Sequence, residues 1–307
     1  MQPDKNPLIL IVGPTGVGKS ATALELAERL NGEIVNCDSM QVYRGFDIGT
    51  DKPSAEDRRR IPHHLLDVVD PAIQFTAADF AALAADAVTA IRRRGRVPFV
   101  VGGSGLYFKA LLDGLFPGPG KDDSARRSLE MEAREKGLDA LWNRLEAADP
   151  VYALKIGRRD RIRIIRALEV LTLTGVSMSD HFRTTQSPLR DFQEVRIGLK
   201  LGREELTERI EKRVDRMFDR GLVAEVKALL SSGVHENSPP FRALGYKYVL
   251  QYLTGRITLE QAVALTKTDT RHYAKRQMTW FRKMAGICWF SPHDFEAILR
   301  AVAKSLS

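Results

Sequence analysis

The stretch Gly13-Pro14-Thr15-Gly16-Val17-Gly18-Lys19-Ser20 fits the pattern G-x-x-x-x-G-K-[ST] throughout. Glycines at 13, 16 and 18 let backbone N–H groups turn toward phosphate oxygens. Lys19 adds a positive charge, Ser20 offers a hydroxyl to a magnesium ion, and a helix starting there adds its dipole. The flanks suit this reading. Leu8-Ile9-Leu10-Ile11-Val12 is a continuous apolar run, as in a strand buried on both faces of a parallel sheet. A helix is predicted from Lys19 to about Leu30, with Ala23, Leu24, Ala27 and Leu30 on its apolar face, and Glu33 to Cys37 reads as the next strand. The pattern speaks for phosphate binding and is silent about which phosphate.

A second strand-like run, Val97-Pro98-Phe99-Val100-Val101, ends in Gly102-Gly103-Ser104. Nucleotide hydrolases place a carboxylate there to steer magnesium and water. Here the carboxylate ends the other strand, as Asp38 of Asn36-Cys37-Asp38-Ser39. A chain that cradles a diphosphate without the hydrolytic acid points to diphosphate as a leaving group. Asp38 lies on the edge where open α/β sheets bind ligands, so it would face the loop and could take a proton. Its bland reading is a turn-capping aspartate. Ser104 precedes another helix at the same edge, and alone it reads best as a cap.

The chain has 307 residues, 44% hydrophobic and 28% charged, enough for one large domain or two modest ones. No apolar run approaches the roughly 20 residues of a membrane helix. Met1-Gln2-Pro3-Asp4-Lys5 lacks the build of a secretory signal. Cys37 and Cys288 have no metal-ligand spacing and read as buried free thiols of a cytoplasmic protein. His63 and His64 read as structural or surface residues. The net charge of +8 means little until it is seen to cluster.

Alternation of strands and helices argues an α/β class with helices on both faces of the sheet. Thr76 and Asp79 resemble a capping box for a helix running to Arg94, which Gly95 ends. Phe116-Pro117-Gly118-Pro119-Gly120-Lys121 is hinge-like, and the pattern is helical from Ser124 to about Phe182. After the polar linker 183–188, residues 194–201 alternate with period two and return to the sheet. The expected division is 1–117 with 193–307 as a discontinuous catalytic core, and 118–192 as an all-helical insertion. Residues 287–290 read as the last strand.

Charge clusters twice. Residues 158–166 hold five arginines, and Arg159, Arg163 and Arg166 are expected on one side of a helix, suited to a phosphate backbone or to a solvated face. Residues 271–283 interleave His272, Tyr273, Trp280 and Phe281 with Arg271, Lys275, Arg276, Arg282 and Lys283. Rings among cations fit looped RNA, although some rings, Trp280 among them, could serve only the core.

These blocks, with Asp38-Ser39-Met40-Gln41-Val42-Tyr43-Arg44-Gly45-Phe46-Asp47-Ile48-Gly49-Thr50-Asp51-Lys52-Pro53, Pro62-His63-His64-Leu65-Leu66-Asp67, Arg166-Ala167-Leu168-Glu169-Val170 and Arg242-Ala243-Leu244-Gly245-Tyr246-Lys247, resemble the bacterial tRNA dimethylallyltransferases. The matches run through nearly the whole chain in order. The resemblance implies a P-loop NTPase-like parallel-sheet core whose helical insertion grips the tRNA anticodon stem-loop. It implies transfer of a dimethylallyl group from dimethylallyl diphosphate to N6 of the adenosine 3′-adjacent to the anticodon, in tRNAs reading codons that begin with U.

Under that resemblance Asp38 is the base, Lys19 and Arg242 neutralise the leaving group with Mg2+ at Ser20, and Gly13 to Ser20 (Pro14, Thr15 and Val17 included) hold the diphosphate. Ser104 stands where relatives usually carry threonine and contacts the acceptor. In the core the tRNA positions are Asp38, Ser39, Met40, Gln41, Ser104, Arg242, Gly245, Tyr246 and Lys247. The insertion supplies Arg126, Ile162, Arg163 and Arg166. The block near the carboxyl end supplies Lys275, Arg276, Gln277, Trp280 and Arg282. Ile162 replaces a residue that is polar in some relatives, which weakens that contact. A monomer is expected. A small-molecule P-loop kinase, an adenylate isopentenyltransferase and a non-catalytic RNA-binding protein stay open as rivals. The first two leave the insertion without a use, and the third leaves Lys19 and Asp38 without one.

Overall fold

A computed structural model of the chain describes residues 6–116, 118–120 and 122–306, so Pro117 and Lys121 of the hinge and the amino-terminal five residues lie outside it. Strand β1 (Pro7–Val12) is buried at every position, as its apolar run requires. It leads through the glycine loop into α1 (Lys19–Arg29) and then β2 (Gly32–Cys37). Short α2 (Ala55–Arg60) and β3 (His63–His64) follow. Helix α3 (Ala77–Arg93) opens on the Thr76–Asp79 capping box, and β4 (Val97–Gly102) leads into α4 (Gly105–Asp113).

Five helices come next: α5 (Asp123–Glu135), α6 (Leu138–Ala148), α7 (Pro150–Lys155), α8 (Arg161–Thr174) and α9 (Met178–Thr184). Strand β5 (Gln193–Leu199) precedes α10 (Arg203–Asp219), α11 (Leu222–Ser231) and α12 (Tyr246–Leu253). Helix α13 (Leu259–Phe281), β6 (Cys288–Phe290) and α14 (Phe295–Leu306) complete the order. No helix among the described residues is long and apolar enough to cross a membrane.

The six strands form one parallel sheet in the order β3-β2-β4-β1-β5-β6. The chain crosses from β1 past β4 to β2, then returns from β3 to β4. Right-handed crossovers in opposite directions put α1 and α3 on opposite faces. On the α1 face, Ile9, Ile11, Ile34, Phe99, Val101 and Ile197 pack with Ala23, Leu26 and Ala27, and with Ile298 and Val302 of α14. Leu8 and Leu10, pointing the other way, are just as buried. The outermost strands are the two shortest, which limits open edges. Cys37 is buried, but Cys288 on edge strand β6 is exposed, contrary to the expectation for both thiols. One apolar neighbour is missing at a sheet edge, so an apolar strand pattern does not guarantee burial there.

Two compact units arise: residues up to Leu112 with those from Pro188 onward, and Asp113–Ser187. The second is a helical unit whose core is built from Leu141, Trp142 and Leu145 of α6 with Ile164, Ile165 and Leu168 of α8. Beside this core Glu169, fully buried, accepts from the Asp122 N–H at 3.0 Å and from Arg166 at 2.8 Å, with Arg126 at 3.7 Å.

In the first unit, the long loop after β2 is anchored twice. The buried Lys52 ammonium donates to the Tyr43 carbonyl and to Asp47, both at 2.6 Å, and to Asp67 at 2.5 Å. The Glu225 carboxylate of α11 accepts from the N–H groups of Asp47 at 3.2 Å and Ile48 at 2.8 Å, and from the Tyr246 hydroxyl at 2.5 Å. Phe46 packs edge-on to Phe241, 5.0 Å between centroids, closing the loop onto the helices. Replacing Lys52 by Met takes the buried donor from the Tyr43 carbonyl and a cation from Asp47 and Asp67, of which Asp67 keeps Arg58 at 2.8 Å. Urea unfolding of Lys52→Met should show a loss of about 3 kcal/mol, and an unchanged midpoint would refute the anchoring role.

Candidate active site

Gly18, in the left-handed region at φ 104°, caps α1 and turns the loop so that Lys19 and Ser20 begin the helix. Thr15, Lys19 and Ser20 line a cavity of about 340 Å3, within the size of small-ligand sites. Val17 is buried in the core, so among loop residues it contributes backbone only. The Lys19 ammonium donates to the Pro14 carbonyl at 2.8 Å. Burial, with the Arg213 cation next in effect, pushes Lys19 down to about 7.

The end of β4 explains the missing acid. A Cβ on Gly102 would collide with the carbonyl of Cys37, and one on Gly103 with the amide of Gln277. Backbone leaves no room for a side chain at Gly102, the last residue of β4, and one at Gly103 would displace the Gln277 amide. Gln277, buried on α13, joins the pieces: its Oε1 accepts from the Thr15 N–H at 2.8 Å, and its Nε2 donates to the Gly103 carbonyl at 2.9 Å. Gln277 lines the cavity, but both ends of its amide are engaged within the chain. Its place is that of a clamp, not of the open RNA contact expected for it.

Asp38 combines its two readings. Its Oδ1 accepts from the Met40 N–H at 2.8 Å and the Gln41 N–H at 3.4 Å, a turn-capping pattern, while the residue also lines the cavity. Ser39, Met40 and Gln41 line it too, and Gln41 donates to the carbonyls of Thr50 and Asp51 at 3.0 and 3.1 Å. Ser104 is buried. Its hydroxyl oxygen accepts from the Ser39 N–H at 3.1 Å, and its side chain lies beside the phenol of Tyr273. Its hydroxyl is thus spent on Ser39, while its carbonyl accepts from the Phe108 N–H at 3.1 Å and begins α4.

Arg242 is exposed, lines the cavity and has no ion pair among the described residues. The cation nearest the loop is another one. Arg213 of α10 donates to the Thr15 hydroxyl at 3.0 Å and lies 3.4 Å from Asp51. The sequence reading passed over it, yet a signal exists. Arg213 falls in the helical phase of the buried Ile210, Val214 and Met217, where a charge is out of place. Tyr273 was likewise left out of the site; it keeps the phase of buried Thr266, Thr270 and Gln277, and burial pushes its phenol well above the ordinary range.

Other expected positions lie elsewhere. Tyr246 is fully buried, hydrogen-bonded to Glu225, and cannot meet RNA as placed; Gly245 is buried beside it. Lys247 donates to Asp269 at 2.6 Å. Lys275 and Arg282 border a separate groove along α10 and α13, with Arg271 and His272. Arg276 lies 5.8 Å over the Tyr273 ring, and Trp280 is 44% exposed, more open than a core role allows. In the helical unit Arg159 precedes α8 and is not on one helix face with Arg163 and Arg166, because Asp160 is the cap. Arg163 pairs with Asp160 at 2.6 Å, Arg161 with Glu130, and Arg158 with Asp139 at 2.9 Å. Arg126 and Arg166 share the Glu169 carboxylate. The cationic run is therefore largely matched by acids, and Ile162 beside it is 77% exposed.

No cluster of three or more His, Cys, Asp or Glu side chains that could hold a metal occurs among the described residues. Mg2+ suits such a site, since it keeps several waters and takes few protein oxygens alongside phosphate. The Ser20 hydroxyl on the cavity wall fits that need. With Lys19 pushed down to about 7, a diphosphate bound beside it at pH 8 should restore the charge. Calorimetry in buffers of differing ionisation heat should show uptake of a fraction of a proton, approaching one, per inorganic diphosphate bound at that pH, and little at pH 6. Binding without proton exchange at pH 8 would refute it.

Residues 41–284 match the family model described as IPP transferase. The tRNA dimethylallyltransferase of Geobacter metallireducens is 49% identical over 300 residues, covering 97% of each chain. The crystal structure of the full-length tRNA isopentenylpyrophosphate transferase of Bacillus halodurans superposes with a TM-score of 0.72 at 42% identity, covering 98% of this chain and 97% of that one. A eukaryotic dimethylallyltransferase acting on tRNA gives a TM-score of 0.78 at 32% identity, over 97% of this chain and 78% of its own. A glycine loop facing a carboxylate at the end of β2, on a sheet shared with these relatives, agrees with what the matches establish: the chain belongs to the IPP transferase family.

Proposed function

We propose that this protein transfers the dimethylallyl group of dimethylallyl diphosphate to N6 of the adenosine 3′-adjacent to the anticodon, in tRNAs reading codons that begin with U. The observation that carries this reading is one cavity holding Lys19, Arg213 and Arg242 opposite Asp38, with β4 too crowded for a hydrolytic acid. An adenine amine is a weak nucleophile, so the allylic carbon must gain cationic character as its bond to diphosphate oxygen breaks. Loop N–H groups, Lys19 and Arg213 stabilise the charge that gathers on the departing oxygens, and Arg242 adds to the field. Mg2+ held by Ser20 and the diphosphate oxygens would supply further neutralisation.

As the N6–carbon bond forms, Asp38 accepts the amine proton. Its turn fixes Oδ1 against the Met40 N–H, leaving the second carboxylate oxygen for the substrate. Ser104 and Tyr273 brace the wall where the base enters, and Val214, Met217 and Leu244 offer the prenyl tail an apolar lining. A stacked base cannot reach this depth, so the adenosine is flipped out, the cost offset by stacking and phosphate contacts. In the first unit Trp280 and Arg276 are the exposed groups best suited to those contacts; in the helical unit they are Arg163, with Arg126 and Arg166 held by Glu169. The enzyme acts in the cytoplasm as a monomer.

Mass spectrometry of unmodified tRNA incubated with the protein, Mg2+ and dimethylallyl diphosphate should show a five-carbon gain on that adenosine. A gain on free adenine nucleotide alone would move the assignment to small-molecule prenyltransfer. Asp38→Ala should lower single-turnover transfer by about 10²–10⁴-fold while tRNA affinity stays within twofold of the parent, by rough expectation for a proton acceptor. Normal transfer with lost binding would reverse its role.

A further inference from the structure

The cavity has a polar lobe that the transfer chemistry leaves unused. Ile34 and Asn36 alternate along β2, with Asp38 continuing the row, so the three share one face. His63 pairs with Ile34 across the β2–β3 ladder and lies on that face as well. Ile34 packs with Ala23 of α1, three residues beyond Ser20, so this is the face α1 covers. Ser20, Asn36, Asp38 and His63 all line the cavity.

The hydrogen bonds fix what Asn36 and His63 can offer. The Asn36 Nδ2 donates to the Leu65 carbonyl at 3.2 Å, so Oδ1 turns the other way. The His63 Nδ1 lies 2.8 Å from the Ile61 carbonyl, which only an N–H can satisfy, so Nε2 carries the lone pair. Burial holds the ring below its ordinary pKa. Among the described residues neither Asn36 Oδ1 nor His63 Nε2 has a protein donor, and neither counts among the sealed, unsatisfied atoms. The lobe therefore presents acceptors, and its occupant must bring hydrogens. A diphosphate and a hydrocarbon tail bring none, and the adenine amine is taken up by Asp38. Waters on Mg2+ are polarised donors, and Mg2+ gives them up reluctantly.

We propose that Asn36 Oδ1 and His63 Nε2 accept hydrogen bonds from the water shell of a magnesium ion held at Ser20. The pair thus does, in neutral form, what a carboxylate at the end of β4 does in nucleotide hydrolases, where Gly102 leaves no room for one. Neutral acceptors orient the shell without adding negative charge beside a leaving diphosphate. The inference rests on the diphosphate-transfer reading and deepens it.

Calorimetric titration of the full chain with inorganic diphosphate, at graded Mg2+ concentrations, tests it. Asn36→Leu and His63→Leu should each weaken the apparent Mg2+ affinity by roughly tenfold, with metal-free diphosphate affinity unchanged. Asn36→Asp, which strengthens the acceptor, should tighten the Mg2+ dependence instead. Unaltered Mg2+ dependence in both leucine variants overturns the inference while leaving the proposed function standing. If the leucine variants lose metal-free binding, the cavity itself is damaged and Asn36→Asp decides: failure to tighten overturns the inference. Absence of diphosphate binding by the unmodified chain overturns the proposed function and this inference with it.

Discussion

The side-chain amide of Gln277 ties together pieces of chain that lie far apart in sequence. It takes the Thr15 N–H of the glycine loop and gives a hydrogen to the Gly103 carbonyl beyond β4. Buried and doubly engaged, it sets how close α13 comes to the carboxyl edge of the sheet. That approach positions Tyr273 one turn earlier, beside Ser104, and through Ser104 the Ser39 N–H next to Asp38. The glycine loop and the turn that carries Asp38 are thus held in register through one uncharged group. An uncharged clamp suits the task, because a charge there would compete with the diphosphate for Lys19 and Arg213.

Opposing demands meet in this cavity. The leaving group needs positive charge, and the amine needs a base that stays unprotonated. Burial lowers Lys19, so in the unliganded chain the cavity does not carry the full repulsion of Lys19 beside Arg213. Binding of the anion then draws the proton back. The loop bearing Asp38 is kept from collapsing onto these cations by anchors of its own, Lys52 on one side and Glu225 on the other.

Much of this was legible in the sequence because the signals were local. The glycine loop, the strand before it, the Thr76–Asp79 box and the swap of acid between Asp38 and Gly102 each lie within a few residues. What escaped depended on tertiary phase. Arg213 looks like one more charge on a charged helix until Ile210, Val214 and Met217 show which face is buried. Gln277 and Tyr273 sit inside a basic, aromatic run that reads as an RNA surface, whereas α13 turns those two inward and leaves Arg276 and Trp280 outside. Tyr246 was misplaced for the same reason, since its neighbour Lys247 is polar and its hydroxyl is spent on Glu225. The arginine run is matched by acids in or beside it, Asp160 and Glu169, and by Glu130 and Asp139 of other helices, which the run itself does not reveal.

Strand β1 lies at the centre of the sheet, hydrogen-bonded to β4 on one side and to β5 on the other. The first partner arrives about ninety residues later and the second only after the whole helical unit has been made, Ile9 meeting Val195. During synthesis the amino-terminal strands therefore emerge well before the strand that completes them, leaving an apolar edge open while the ribosome works through the insertion. The helical unit is contiguous and rich in local contacts, so it can fold in that interval. Until β5 is made, β1, apolar along most of its length, has β4 on one side and no partner on the other.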